Sequence, residues 1–340
     1  MSSMRILLVR PDGIGDEILC LPVATALRRL QPSARIAFLS SALAAPVLAH
    51  HPDLDEVLTV TGGEGFGGLV ALFRRGFDAA VFLKPFRRLM LAAFVAGVPV
   101  RVATGYRWYS VLANRLVYEH RSDFARHESD YNVGLLRGLG LSPGPAEPPV
   151  LILTEEERAW ARRRLETLPP ARIVVHPGGL SSRRWKVQHY QQLIRRLACE
   201  GAAVILTGSR AEGEEFRAAS SEEARSSSVL DLTGQLTLRE LMAVIAASGA
   251  VVSGSTGPAH MAAALGVATV SLFDPRRNQL PTRWRPLGRG VVLRPDVPTC
   301  PKCIYEACPY WDCLDRISVE EVAAQVGKAA GAKDLAVVHV

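Results

Sequence analysis

The sequence predicts an α/β fold made of two successive halves, each a parallel β-sheet covered by helices, and three observations carry that expectation. Short apolar runs alternate with helix-periodic segments along the chain, the pattern of strands buried on both faces. At 340 residues the chain exceeds what one hydrophobic core holds, and 48% hydrophobic residues suffice for two cores. The stretch "GLSPGPAEPPV", 140 to 150, breaks the alternation with proline and glycine, so domains are expected at 1–145 and 150–325.

In the first half, strands are expected at Arg5 to Val9, Arg35 to Leu39, Ala79 to Leu83 and Val100 to Ala103. Helices are expected near 22 to 30, 88 to 96 and 128 to 139. Pro22 would cost an unbroken helix from residue 16 about 3 kcal/mol, so the segment before it reads as irregular, with Pro22 near a helix start. "TGGEGFGGL", 61 to 69, lacks the G-K-[ST] of a P-loop and reads as a mobile connection. The longest apolar stretch, "LMLAAFVAGVPV" at 89 to 100, is too short to cross a bilayer and reads as a short helix, a turn and a strand. In the second half, Thr154 and Glu157 form a capping box that opens a helix in "TEEERAWARRRLETL". Strands follow at 172 to 176, 202 to 208, 250 to 254 and 268 to 273. A final helix, 318 to 330, is free to pack back on the first domain.

The start of the chain, "MSSMRILLVRPDG", lacks the apolar length of a signal peptide, and a cytoplasmic protein is expected. The formal net charge of +7 comes almost wholly from arginine, because Lys occurs only at 84, 186, 302, 328 and 333. That bias fits GC-rich codon usage as well as it fits an anionic ligand or an acidic membrane surface. No basic run alternates with aromatics, so a nucleic-acid partner is not expected.

Four loops at strand ends can carry chemistry. In "RPDGIGDEILCLP", Gly13 and Gly15 suggest a dinucleotide turn, but Ile18 replaces the third glycine and Asp16 would repel a pyrophosphate. Asp16 is either a helix cap or a general base. In "HPGGLSSRRWKVQHY", Gly178 and Gly179 permit close backbone approach, Ser181 and Ser182 add hydroxyls, and Arg183 and Arg184 offer forked guanidinium groups, which together suit an anion. Glu212 in "LTGSRAEGEEF" either accepts from sugar hydroxyls or opens a helix. In "VVSGSTGPAHMAAALGV", Ser255 and Thr256 precede a helix at Pro258 whose free N–H groups can grip a phosphate; His260 is a donor-site residue or a packed one.

These residues stand in a familiar order. "GIGDEILCLPV", the glycine turn with Arg183 two before Trp185, "DLTGQLTLRELMAVIAAS" and "STGPAHMAAALGVATVSLFDP" resemble the ADP-heptose:lipopolysaccharide heptosyltransferase family, glycosyltransferase family 9, from Met4 to about residue 325. The resemblance implies a GT-B fold, two facing Rossmann-like domains with parallel sheets, the acceptor on the first and the nucleotide sugar on the second. It implies that Asp16 is the base on the acceptor hydroxyl, with Gly13 and Gly15 on the acceptor side. On the donor side it implies that Arg183 holds the phosphates, Glu212 the nucleoside, and Thr256 with Gly257 the diphosphate. Many members carry Asp before that Thr-Gly, where this chain has Ser255, whose hydroxyl bonds a sugar less strongly than a carboxylate.

The activity expected is an inverting, metal-independent transfer of a heptose or related sugar from a nucleotide-diphosphate sugar, with ADP as the nucleotide, to a lipopolysaccharide-type or other cell-surface glycan. Such an acceptor would bring the chain into peripheral contact with the inner membrane. A nucleotide-sugar epimerase on the same fold, or a nucleotide-sugar-binding subunit without catalysis, are the alternatives. "CPKCIYEACPYWDC" adds Cys300, Cys303, Cys308 and Cys313, whose spacing leaves a structural Zn²⁺, free thiols and disulfides all open.

Overall fold

Apolar runs become parallel strands here because helices cover both faces of each sheet, so every side chain along a central strand is buried. The computed structural model describes residues 3–179, 183–219, 229–331 and 335–339, the backbone alone from 330 onward. It divides into two units, Met1–Ile152 and Leu153–Val340.

The first sheet holds β1 (Arg5–Val9), β2 (Arg35–Ser41), β3 (Glu56–Val60), β4 (Ala79–Phe82), β5 (Val100–Thr104) and β6 (Arg115–Val117). All are parallel, in the order β3-β2-β1-β4-β5-β6. The second holds β7 (Arg172–His176), β8 (Ala203–Leu206), β9 (Val229–Asp231), β10 (Ala250–Gly254), β11 (Ala268–Leu272), β12 (Gly290–Arg294) and β13 (Leu335–His339). Its order is β13-β12-β11-β10-β7-β8-β9, again parallel throughout. Winding therefore reverses between β1 and β4 in one sheet and between β7 and β10 in the other. Those are the points where such sheets open a crevice at the carboxyl ends of their strands.

Two expectations need correction. The segment before Pro22 is helical: Ile14–Ile18 forms a short helix, and Pro22 enters the first turn of a second helix, Leu21–Leu30, where its missing N–H costs nothing. The second half of "TGGEGFGGL" joins the helix Phe66–Phe73, which buries Leu69, Val70 and Phe73. The final helix, Val319–Gly331, adds Val319, Val322, Ala323 and Val326 to the core of the second unit. The Thr154 capping box forms as expected, with Glu157 N donating to Thr154 Oγ1 at 3.2 Å and Thr154 N to Glu157 at 2.8 Å.

Gly290 opens β12 at φ 129°, and a Cβ there would lie 2.0 Å from the Thr269 carbonyl oxygen of β11. The carbonyl is backbone inside a buried sheet and the Cβ is fixed to the Gly290 backbone, so neither can move aside. Gly290→Ala should destabilise the second unit by about 2 kcal/mol or more. Chemical denaturation followed by circular dichroism checks this, and an unchanged midpoint would show that the β11–β12 ladder relaxes.

Candidate functional site

In the first unit the strand ends hold a buried ion cluster. Arg10 follows directly on β1 and is 3% exposed, a position that requires opposite charges around it. It meets Asp16 at 2.5 Å, Asp12 at 3.2 Å and Glu128 at 3.3 Å. Arg121 shares Glu128 at 2.6 Å, and Lys84, just beyond β4, reaches Asp12 at 2.6 Å. Glu17, fully buried beside Asp16, ties the turn to β2 by accepting from Asp12 N at 3.0 Å, Ser41 N at 2.9 Å and the Ser40 hydroxyl.

Asp16 differs from the other carboxylates of the cluster because its side chain is 32% exposed. Oδ1 accepts from Arg10, and no described residue bonds Oδ2. Burial raises its pKa above the ordinary aspartate value; Arg10 and Lys84 pull it down, while Asp12 and Glu128 add to the rise. The product is a fixed, part-exposed carboxylate with more proton affinity than a free one. Gly13 is the N-cap of the helix Ile14–Ile18, and Gly15 lies in its first turn.

In the second unit, β7 ends at His176, and the chain turns through Pro177, Gly178 and Gly179. Glu212 braces that turn: Oε1 accepts from Gly179 N at 2.9 Å and Oε2 from Ser209 N at 2.7 Å, while Ser209 caps the helix Arg210–Ala218. Its first role here is therefore the cap that the sequence left open. Burial opposes its ionisation, but the hydrogen bonds from Ser209, the electrostatic attraction of the His176 ring and the bond from Gly179 N hold its pKa below the ordinary value. A Cβ at Gly178 would lie 2.1 Å from Glu212 Oε1, so a larger residue would have to displace that carboxylate.

Beyond the turn, Ser181, like Ser182, lies outside the described residues. Arg183 donates to Trp311 O at 2.9 Å and to Cys303 Sγ at 3.1 Å, with its guanidinium 5.6 Å from the Tyr305 ring centre. Its backbone N–H bonds Asp274, a buried carboxylate that also takes Arg276 at 2.7 Å. Arg183, Arg184, Lys186 and Arg276 line a cavity of 760 Å³ with Gly179, Cys303 and Tyr305. Its size falls within the range of small-molecule sites, and its cations suit an anion.

Ser255, Thr256 and Gly257 leave β10, whose Ser253 pairs with His176 of β7, so the two loops start from opposite positions at the switch point. Thr256 is the N-cap of the helix Gly257–Ala264 and makes no side-chain cap bond, while Ser255 N continues the ladder to Leu272 O at 3.1 Å. His260 is 5% exposed within that buried helix.

Sequence reasoning assigned no role to Arg10, Lys84, Asp274 or Arg276. The available signal was a charged residue ending an apolar run, as in "ILLVR" and "VSLFD". For the cysteine cluster the zinc expectation does not carry over: all six cysteines are free, and no three His, Cys, Asp or Glu among the described residues group so as to hold a metal ion. Cys303 instead accepts from Arg183. Burial works against its thiolate, but Arg183 and the Tyr305 backbone bring its pKa below the ordinary thiol value.

Comparison with known proteins shows what the chain is similar to. The family model described as glycosyltransferase family 9 (heptosyltransferase) matches residues 71–309. Lipopolysaccharide heptosyltransferase 2 of Escherichia coli is 27% identical over 292 residues, 80% of this chain and 83% of the relative. Lipooligosaccharide heptosyltransferase 2 of Haemophilus influenzae is 28% identical over 304 residues, 81% and 85% of the two chains. The structure of the E. coli ADP-heptose LPS heptosyltransferase II superposes with a TM-score of 0.79 at 25% identity, covering 96% of this chain and 98% of that one. A family 9 glycosyl transferase from Veillonella parvula gives 0.81 at 20% identity, covering 97% and 98%, and shows likeness of fold.

The Gly178–Glu212 contact makes a test of the turn. Gly178→Ala should lower stability in the native background and cost far less in a Glu212→Ala background, a coupling of about 1–2 kcal/mol. A double-mutant cycle on unfolding free energies measures it; strictly additive losses would show that the carboxylate does not brace the turn.

Proposed function

The chain belongs to glycosyltransferase family 9, and we propose that it moves a heptose or related sugar from an ADP-linked donor to a lipopolysaccharide-type acceptor with inversion. Its architecture is GT-B, with a Rossmann-like parallel sheet in each unit. In this reading the first unit serves the acceptor and the second the nucleotide sugar. The observation that carries the reading is Asp16, a part-exposed carboxylate at a strand end whose proton affinity burial has raised.

Asp16 takes the proton from the acceptor hydroxyl as that oxygen attacks the anomeric carbon. A new C–O bond forms on one face of the sugar while the bond to the diphosphate oxygen breaks on the other, which inverts the centre. The leaving diphosphate carries the released charge. Arg183 and Arg276 line the cavity that would receive it, and the N-terminal end of the helix Gly257–Ala264 would add the positive end of its dipole. Gly178 and Gly179 let backbone approach the phosphates. Ser255 would contact the transferred sugar through a hydroxyl. Glu212, its oxygens already engaged, supports the nucleoside side by fixing the turn.

Asp16→Asn keeps the side-chain shape and removes the base, so kcat should fall by about 10² to 10⁴ while ADP affinity stays nearly unchanged. The base must be ionised to act, and its pKa is raised. Activity should therefore be lost, as pH falls, at a higher pH than an ordinary aspartate would give, and that limb should vanish in Asp16→Asn. Arg183→Ala should weaken ADP binding and lower kcat together, because its charge meets the diphosphate before and during departure. Turnover and calorimetric ADP binding on both variants, with melting temperature as a control for folding, decide the matter; an Asp16→Asn enzyme of near-normal rate removes Asp16 from the mechanism.

For the donor, ADP should raise the melting temperature more than UDP or GDP at equal concentration. Stronger protection by UDP would overturn the adenine assignment.

A further inference from the structure

From Lys84 to Tyr118 the chain carries six cations, one lysine and five arginines, and no carboxylate. The same stretch, about a tenth of the chain, holds half of the large apolar and aromatic side chains that are exposed among the described residues. Scattered exposed hydrophobics are ordinary on a soluble surface, but a contiguous apolar patch rimmed with one sign of charge is not.

The patch is contiguous. The helix Arg87–Val95 buries Leu89, Met90, Ala92 and Ala93 and leaves Leu91, Phe94 and Val95 outside. The 3₁₀ turn Trp108–Leu112 packs beside it, with Trp108 76% and Val111 80% exposed. Arg87 lies 5.9 Å from the Trp108 ring centre and Arg101 5.2 Å from that of Phe94, and Arg101 Nε donates to Leu112 O at 2.8 Å. Tyr118, just past β6, packs edge-on against Tyr106 at 5.4 Å. Lys84 is paired with Asp12, but none of the five arginines pairs with a carboxylate of the described residues.

We propose that this face of the first unit docks on the surface of an anionic phospholipid bilayer. Trp108 and Val111 enter the interfacial layer, and the arginines around them meet lipid phosphates. Charge selects this occupant. A second copy would bring two like-charged faces together. A nucleic acid would use the arginines and rings but gain nothing from Leu91, Val95 and Val111. The inference holds whichever sugar the enzyme transfers.

The full chain should sediment with vesicles of phosphatidylcholine mixed with phosphatidylglycerol, and at least about tenfold more weakly with phosphatidylcholine alone. High salt should weaken the binding. Arg87→Ala with Arg107→Ala should lower the partition coefficient by about 30-fold, and Trp108→Ser with Val111→Ser by about tenfold or more. Trp108 is the single tryptophan of the first unit, so brominated lipid should quench a component of the fluorescence that Trp108→Phe lacks. Circular dichroism and melting temperature establish that each variant is folded. The proposal is overturned by folded wild-type protein that ignores anionic vesicles or binds neutral ones equally, or by double variants that bind as well as wild type. It is also overturned if single-stranded RNA competes the protein off the vesicles at equal concentration, or if gel filtration shows a dimer that the patch variants abolish.

Discussion

A parallel strand cannot be reached by a hairpin; the chain must cross a face of the sheet and begin again at the same end. That single constraint organises both units. Each sheet starts in its middle, winds outward one way, returns to the centre and winds outward the other way. At the place of return, consecutive loops diverge to opposite faces and leave their backbone ends facing an opening. Arg10, Asp16 and Lys84 stand at that place in the first sheet, and His176 to Gly179 with Ser255 to Gly257 stand at it in the second. The strands beneath, such as β1 with Ile6 to Val9 fully buried, hold these loops on a rigid base.

Charge at the first switch point is balanced in a way that sets chemistry. A guanidinium as buried as that of Arg10 is tolerated only because three carboxylates surround it, and removing a partner from such a group leaves an uncompensated charge at a cost of about 3–5 kcal/mol. Asp16 lies nearest, at 2.5 Å, and Asp12 and Glu128 share the neutralising duty with it, their own needs met in part by Lys84 and Arg121. Asp16 can then keep about a third of its side chain in solvent. Its basicity is the outcome of two opposed effects, burial that favours the proton and a cation at 2.5 Å that resists it.

Much of this was legible in the sequence, because central strands are continuous apolar runs and their loops follow at once. Strands β1, β2, β4, β5, β7, β8, β10 and β11 lie where apolar runs place them. The edges were not legible: β6 and β9 have three residues each, and "EVLTV", "RLV" and "VLD" carry polar or exposed residues that a one-sided edge permits. The sequence reading also missed the edge strand β13 and the buried central strand β12, "GVVLR". Among site residues, the motifs identified Asp16 and Arg183, but the partners that tune them come from 100 residues or so away, as Glu128 does for Arg10 and Asp274 for Arg183. Sequence periodicity contains no term for such meetings. The exposed patch was hidden for the same reason, since Arg87 and Trp108, or Phe94 and Arg101, form no run until the helix and the 3₁₀ turn lie side by side.

Asp274 shows what this does to inheritance. One buried carboxylate fastens the backbone at Arg183 and the side chain of Arg276, so the loop after β7 and the loop after β11 share a single anchor. A lineage adapting this cavity to a different anion cannot revise the two loops one at a time. Replacing Arg276 strands a buried negative charge, and replacing Asp274 loosens Arg183 whether or not that arginine has changed. Drift here should proceed in joint steps, with substitutions at 183, 274 and 276 arriving as compensated sets rather than as independent neutral changes.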